Sequence, residues 1–101
     1  MKAKLERLKK NPEVMFFNVI GIYKDENSYK QGCAYESTFE KNLPSIRNHR
    51  YLTVEENGEV IAIFFDKNLL EDEMFMVKLQ MILEGNGYSP NTALIRMHKL
   101  A

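Results

Sequence analysis

The side chains with the widest chemical reach are Cys33, His49 and His98, joined by Arg47, Arg50 and Arg96. A cysteine attacks as its thiolate, which needs a base or an electropositive neighbour. His49 and His98 are the bases on offer. No family-like sequence surrounds Cys33, and a lone cysteine is most often a small buried hydrophobe. The same residues make a poor metal set, because no HxH, CxxC or HxxxH spacing occurs. No metal and no cofactor is expected. Arg47, His49 and Arg50 lie within one tetrapeptide, RNHR. Arg96 and His98 are two apart, so on a strand they share a face. These five residues are the candidate anion-binding cluster, and a solvated loop is the plainer reading of 47–50.

Other chemistry is weaker still. Glu71, Asp72 and Glu73 form a carboxylate run, but at a helix start the positive end of the dipole explains it. Gly85-Asn86-Gly87 follows a helix, whereas phosphate-cradling glycine loops lie between a strand and the helix they open. It is therefore a helix terminator. Aromatics alternating with basic residues, the mark of an RNA-binding sheet, are absent from the apolar strand segments around Phe16, Phe17, Phe64 and Phe65. With no catalytic signature, the chain leans away from enzymes.

The elements that must hold these residues follow from periodicity. Lys2–Lys10 predicts a short helix, stopped by Asn11-Pro12, that docks through Leu5 and Leu8 or frays. Residues 1–11 are thus expected to be peripheral. Val14–Tyr23 predicts a central strand, apolar on both faces, with Gly21 marking a bulge or a close backbone approach. Residues 28–43 are ambiguous. Ser28 and Gln31 make a capping box, and Tyr35, Phe39 and Leu43 share a helical face, yet 33–40 also alternates as a strand would. Helix is favoured, ahead of Pro44 and a turn through 45–48.

Tyr51–Phe65 predicts a hairpin turning at Asn57-Gly58. The segment resembles the central hairpin of GNAT acetyltransferases over those residues alone. That family's Gln/Arg-x-x-Gly-x-Gly/Ala coenzyme-A loop is missing, so no acetyltransferase activity is expected. A helix follows from an Asn68 cap to Glu84, and Ala93–Leu100 predicts the last strand, with Ala93, Ile95 and Met97 on the more apolar face. The result is an α+β domain spanning 1–101. It has an antiparallel sheet of four to five strands, one long helix in the C-terminal half, a second shorter helix and a short N-terminal helix. A ferredoxin-like βαββαβ order is the first choice.

The long helix is too apolar for an ordinary surface helix. Ten of the fifteen residues Leu69–Leu83 are apolar. Leu70, Met74, Val77 and Met81 form one stripe, broadened by Phe75, Leu79 and Ile82, with Met76 and Leu83 to its side. Either the N-terminal helix covers the excess or part of it contacts a partner, for which adaptable methionines are suited. The candidate partner-binding residues are Met74, Met76, Val77, Met81 and Leu83.

Composition sets the outer bounds. The chain has 101 residues with 14 basic and 14 acidic side chains, which excludes a general nucleic-acid coat or a polybasic membrane binder. Neutrality is a cancellation: residues 1–50 carry 10 basic and 6 acidic groups, +4, and residues 51–101 carry 4 and 8, −4. One cysteine allows no intrachain disulfide. No signal peptide or bilayer-length apolar run is read, so a cytoplasmic location is expected. Frequent Lys and Asn without Trp fit an AT-rich genome such as that of a phage or mobile element. The function expected is a small non-enzymatic protein-binding or regulatory module, homodimeric or with a protein partner. The alternatives are a small-molecule domain or dimeric enzyme with a sheet–helix pocket near Tyr23, Tyr35, Arg47 and His98, and a weak nucleic-acid binder using Lys2–Lys10 and Arg47–Arg50.

Overall fold

The computed structural model describes residues 1–31 and 51–99. They form an α+β fold. Helix α1 is Lys2–Lys9, strand β1 is Val19–Tyr23 and helix α2 begins at residue 26 and is described to 31. Strands β2 (Tyr51–Glu56) and β3 (Glu59–Asp66) precede helix α3 (Glu73–Gly85) and strand β4 (Leu94–His98). The four strands lie in the order β2-β3-β1-β4, every neighbouring pair antiparallel.

Local chemistry explains most boundaries. Asn57 and Gly58 both take positive φ, 54° and 79°, which closes β2 and β3 as a two-residue hairpin. The register shifts between Val54 and Glu55, a bulge on the sheet edge. β1 is shorter than the apolar run Val14–Tyr23 predicts. Pro12–Phe16 instead winds into a 3₁₀ turn, because the Asn11 side chain accepts from the Glu13 amide at 2.9 Å and Pro12 pre-sets the first turn. Phe16, expected in a central strand, therefore stands exposed. The long helix also starts later than an Asn68 cap implies. Asp66 accepts from the Asn68 amide to cap a 3₁₀ turn over Lys67–Glu71, and Asp72 then caps α3 by accepting from the Phe75 amide at 3.0 Å. At the other end Gly87 (φ 74°) permits a Schellman closure. The Tyr88 amide donates to the Leu83 carbonyl and the Gly87 amide to that of Glu84.

The sheet has two buried faces. Ile20, Ile22, Ile63 and Phe65 carry the first, against Leu5 and Leu8 of α1 and Phe75, Leu79 and Leu83 of α3. Ile95 and Met97 pack there too, as the apolar face of β4 predicts, and α1 is docked through Leu5 and Leu8. The second face carries Val19, Tyr23, Ala62 and Phe64, with Tyr29 of α2, Leu52, Val54 and Leu94 packed against them. Burial of β1 on both sides is what its unbroken apolar run demands.

Gly21 sits where the second face is tightest. A Cβ there would lie 2.9 Å from Phe64 Cε1 and 3.2 Å from His98 Nε2. The close approach expected at Gly21 is present. The helix-or-strand question over 28–43 is answered only at its start: 28–31 are helical and 32–43 lie outside the described residues, as do Cys33, Tyr35 and the turn at 45–48.

Candidate protein-docking site

α1 and α3 lie side by side on the first face and leave a groove of about 430 Å³ between them. Its α1 wall is Lys2, Leu5, Glu6 and Lys9; its α3 wall is Glu73, Met76, Val77, Gln80 and Met81. Leu5 is also a core residue, so the groove floor is continuous with the hydrophobic core.

The sheet selects which face of α3 it buries. Phe75, Leu79 and Leu83, spaced four apart, point inward, and Leu79 and Leu83 have no exposure. Met74, Val77 and Met81 fall on the other side and are 85%, 63% and 68% exposed. Of the stripe Leu70, Met74, Val77 and Met81, only Leu70 is buried. Of the five candidate partner-binding residues, Met74, Val77 and Met81 are exposed, Met76 is half-buried against the core, and Leu83 is buried. Leu83 must be removed from the candidate surface. It anchors the Schellman closure and packs in the core, so no partner reaches it.

Three exposed apolar side chains within two helical turns form a continuous strip. Strips of this kind mark interaction surfaces. The rest of the helix is committed elsewhere. Lys78 stands over the Tyr51 ring at 5.1 Å, on the β2 side. Gln80 donates to Glu84 at 2.8 Å, while its carbonyl oxygen is buried with no hydrogen-bond partner among the described residues. Lys4 of α1 donates to the carbonyls of Ala93 and Pro90, which fixes α1 to the turn before β4.

The candidate anion-binding cluster is brought together only in part. Arg96 and His98 share the second face, as their spacing predicts. His98 Nε2 lies 3.3 Å from the Tyr23 hydroxyl, and the Arg96 guanidinium lies 5.0 Å above the Tyr29 ring, a cation–π contact. Arg47, His49 and Arg50 lie outside the described residues. Of the residues expected around a sheet–helix pocket, Tyr23 is fully buried and Tyr35 and Arg47 are likewise outside.

A second depression, about 470 Å³, lies between the start of α2 and the turn before β4, lined by Asp25, Glu26, Asn27, Asn91, Thr92 and Leu94. Asp25 is a helix cap rather than a reactive acid. Its carboxylate accepts from the Ser28 amide at 2.8 Å, so the cap of α2 is Asp25 and not Ser28. That backbone donor, above all, holds the Asp25 carboxyl below its ordinary value, against a smaller opposing effect of burial. A depressed folded value contributes stability above the unfolded carboxyl value, lost as pH falls through the folded one. Asp25→Asn keeps a capping oxygen but not the titration. Its stability deficit against wild type should be greatest near neutral pH and close as pH falls through the folded carboxyl value, read from urea midpoints.

No three His, Cys, Asp or Glu side chains converge on a metal site among the described residues. Nor is any described helix long and apolar enough to cross a membrane. No family model, curated protein or solved structure matches the chain.

Two features of the structure are not evident from the sequence. The make-up of the α1 wall is one: that the N-terminal helix covers the long helix is one of the two alternatives the sequence leaves, but its spacing does not single out Lys2, Glu6 and Lys9 as groove-lining. The other lies outside the groove: the exposed pair Met15 and Phe16 on the 3₁₀ turn, 75% and 72% exposed. The signal that could have found them is Asn11-Pro12, a turn cap ahead of an apolar run.

Proposed function

We propose that this chain is a small non-enzymatic, cytoplasmic binding module, regulatory in role, that docks a protein along the α1–α3 groove. The observation that carries the reading is the exposure of Met74, Val77 and Met81 on a helix whose opposite face is locked in the core. Leaving three large apolar side chains in water gains nothing for the isolated fold, whereas covering them favours association. Methionine at two of the three positions suits a surface that adapts to its partner.

The scaffold we read beneath this surface is a variant of the ferredoxin-like order. The strand order β2-β3-β1-β4 supports it, with β1 and β3 central. In that arrangement two right-handed crossovers running in opposite directions over one sheet carry their helices on one face. Here Tyr29 packs on the face opposite α3, so the described part of α2 departs from that pattern.

The test is affinity capture with the full chain as bait, from cells that encode it, in three forms: wild type, Met81→Glu and Phe16→Ser. A partner recovered by wild type and by Phe16→Ser, but reduced at least about tenfold by Met81→Glu, supports the reading. Capture that is indifferent to Met81→Glu overturns it. A second reading, anion binding through Arg47, His49, Arg50, Arg96 and His98, draws on the shared face of Arg96 and His98. Its affinity for inorganic phosphate or nucleic acid would have to fall with salt.

A further inference from the structure

We propose that the occupant of the α1–α3 groove is a second copy of this chain, related by a twofold axis that runs along the groove. This rests on reading the exposed face of α3 as a docking surface, and it names the partner.

Charge complementarity across the groove favours this occupant. An isologous interface uses the same patch twice, so the patch must be complementary to itself. The two walls of the groove differ in sign. Lys2 and Lys9 edge the α1 wall, with Glu6 between them, and Glu73 edges the α3 wall, where no cation lines the groove among the described residues. The nearby cations are turned away: Lys4 to the carbonyls of Ala93 and Pro90, and Lys78 to the Tyr51 ring. A twofold axis along the groove sets α1 of each copy over α3 of the other. The basic edge of one copy then meets the acidic edge of its partner twice, while Val77 and Met81 close over the apolar floor. The zero net charge of the chain removes long-range repulsion between copies.

Sedimentation velocity on the purified full chain, from about 1 to 200 µM, tests this. The expected result is a concentration-dependent species of twice the 11.8 kDa monomer mass. Val77→Glu and Met81→Glu, both at exposed positions, should give monomers with unchanged circular dichroism. Lys9→Glu and Glu73→Lys should each weaken association at least about tenfold, since each sets like charges opposite one another twice. Placed together in one chain they exchange the signs of the two edges, and association should return to within about threefold of wild type.

A monomer at every concentration overturns the proposal. So does a dimer that survives Val77→Glu, or a doubly reversed chain no stronger than the single variants. A monomeric chain whose protein capture still depends on Met81 overturns the second copy alone. Capture indifferent to Met81 overturns the docking reading itself.

Discussion

Leu79→Ala should destabilise the protein by about 2–5 kcal/mol, while Val77→Gln, two residues earlier on the same helix, should change stability by about 0.5 kcal/mol or less. The contrast follows from burial. Leu79 has no exposure and packs among Ile, Leu and Phe side chains from the sheet and both helices. Truncation forfeits its transfer free energy and leaves a cavity that close-packed neighbours cannot refill. Val77 is mostly in water, and Gln is the better helix former. For a domain of this size the Leu79 effect is a fall in Tm on the order of 10 °C or more. Thermal unfolding at the lowest workable concentration, where association contributes least, measures both. Equal effects at the two positions would reverse the assignment of the helix faces.

The second large effect is at Gly21. Gly→Ala at a position with room stabilises by about 0.4–1 kcal/mol, because it restricts the unfolded chain. Gly21 has no room. The new Cβ would press on Phe64 at 2.9 and 3.0 Å and on His98 at 3.2 Å. Phe64 is 1% exposed and wedged between the Tyr23 ring, edge-on at 5.7 Å, and the His98 ring at 6.0 Å. It cannot swing aside. Gly21→Ala should therefore destabilise by about 1–3 kcal/mol. Phe64→Leu in the same chain should recover part of that loss, a coupling of about 0.5–3 kcal/mol in a double-mutant cycle. A stabilised Gly21→Ala variant would show that the two neighbouring strands are further from β1 than the structure places them.

What was legible in the sequence was whatever local chemistry determines. Asn57-Gly58 predicted the hairpin because few residue pairs accept two positive φ values in succession. The apolar run at β1 predicted burial on both faces, and Leu5 and Leu8 predicted the docking of α1. The errors came where local signals compete or lack contrast. Val14–Phe17 has strand propensity, but the Asn11 cap and Pro12 wind it into a turn. Along α3, ten apolar residues in fifteen leave periodicity little polar contrast to read. Tertiary packing then chose Phe75, Leu79 and Leu83 for the sheet and left Met74, Val77 and Met81 outside. The candidate surface was legible as a set of residues, with Leu83 wrongly included. Its second wall was legible only as one of two alternatives, the N-terminal helix covering the long one, because tertiary packing and not local sequence sets α1 beside α3.

The central claim is that the outward face of α3 is a docking surface, and a photo-crosslinking residue at position 77 tests it most directly. Benzoylphenylalanine in place of Val77, activated in cells that encode the chain, should form a discrete protein adduct. The same residue in place of exposed Asn68 should form none. Mass analysis then identifies the adduct as a second copy of the chain or as another protein. No adduct at position 77, or equal adducts at both positions, would contradict the account.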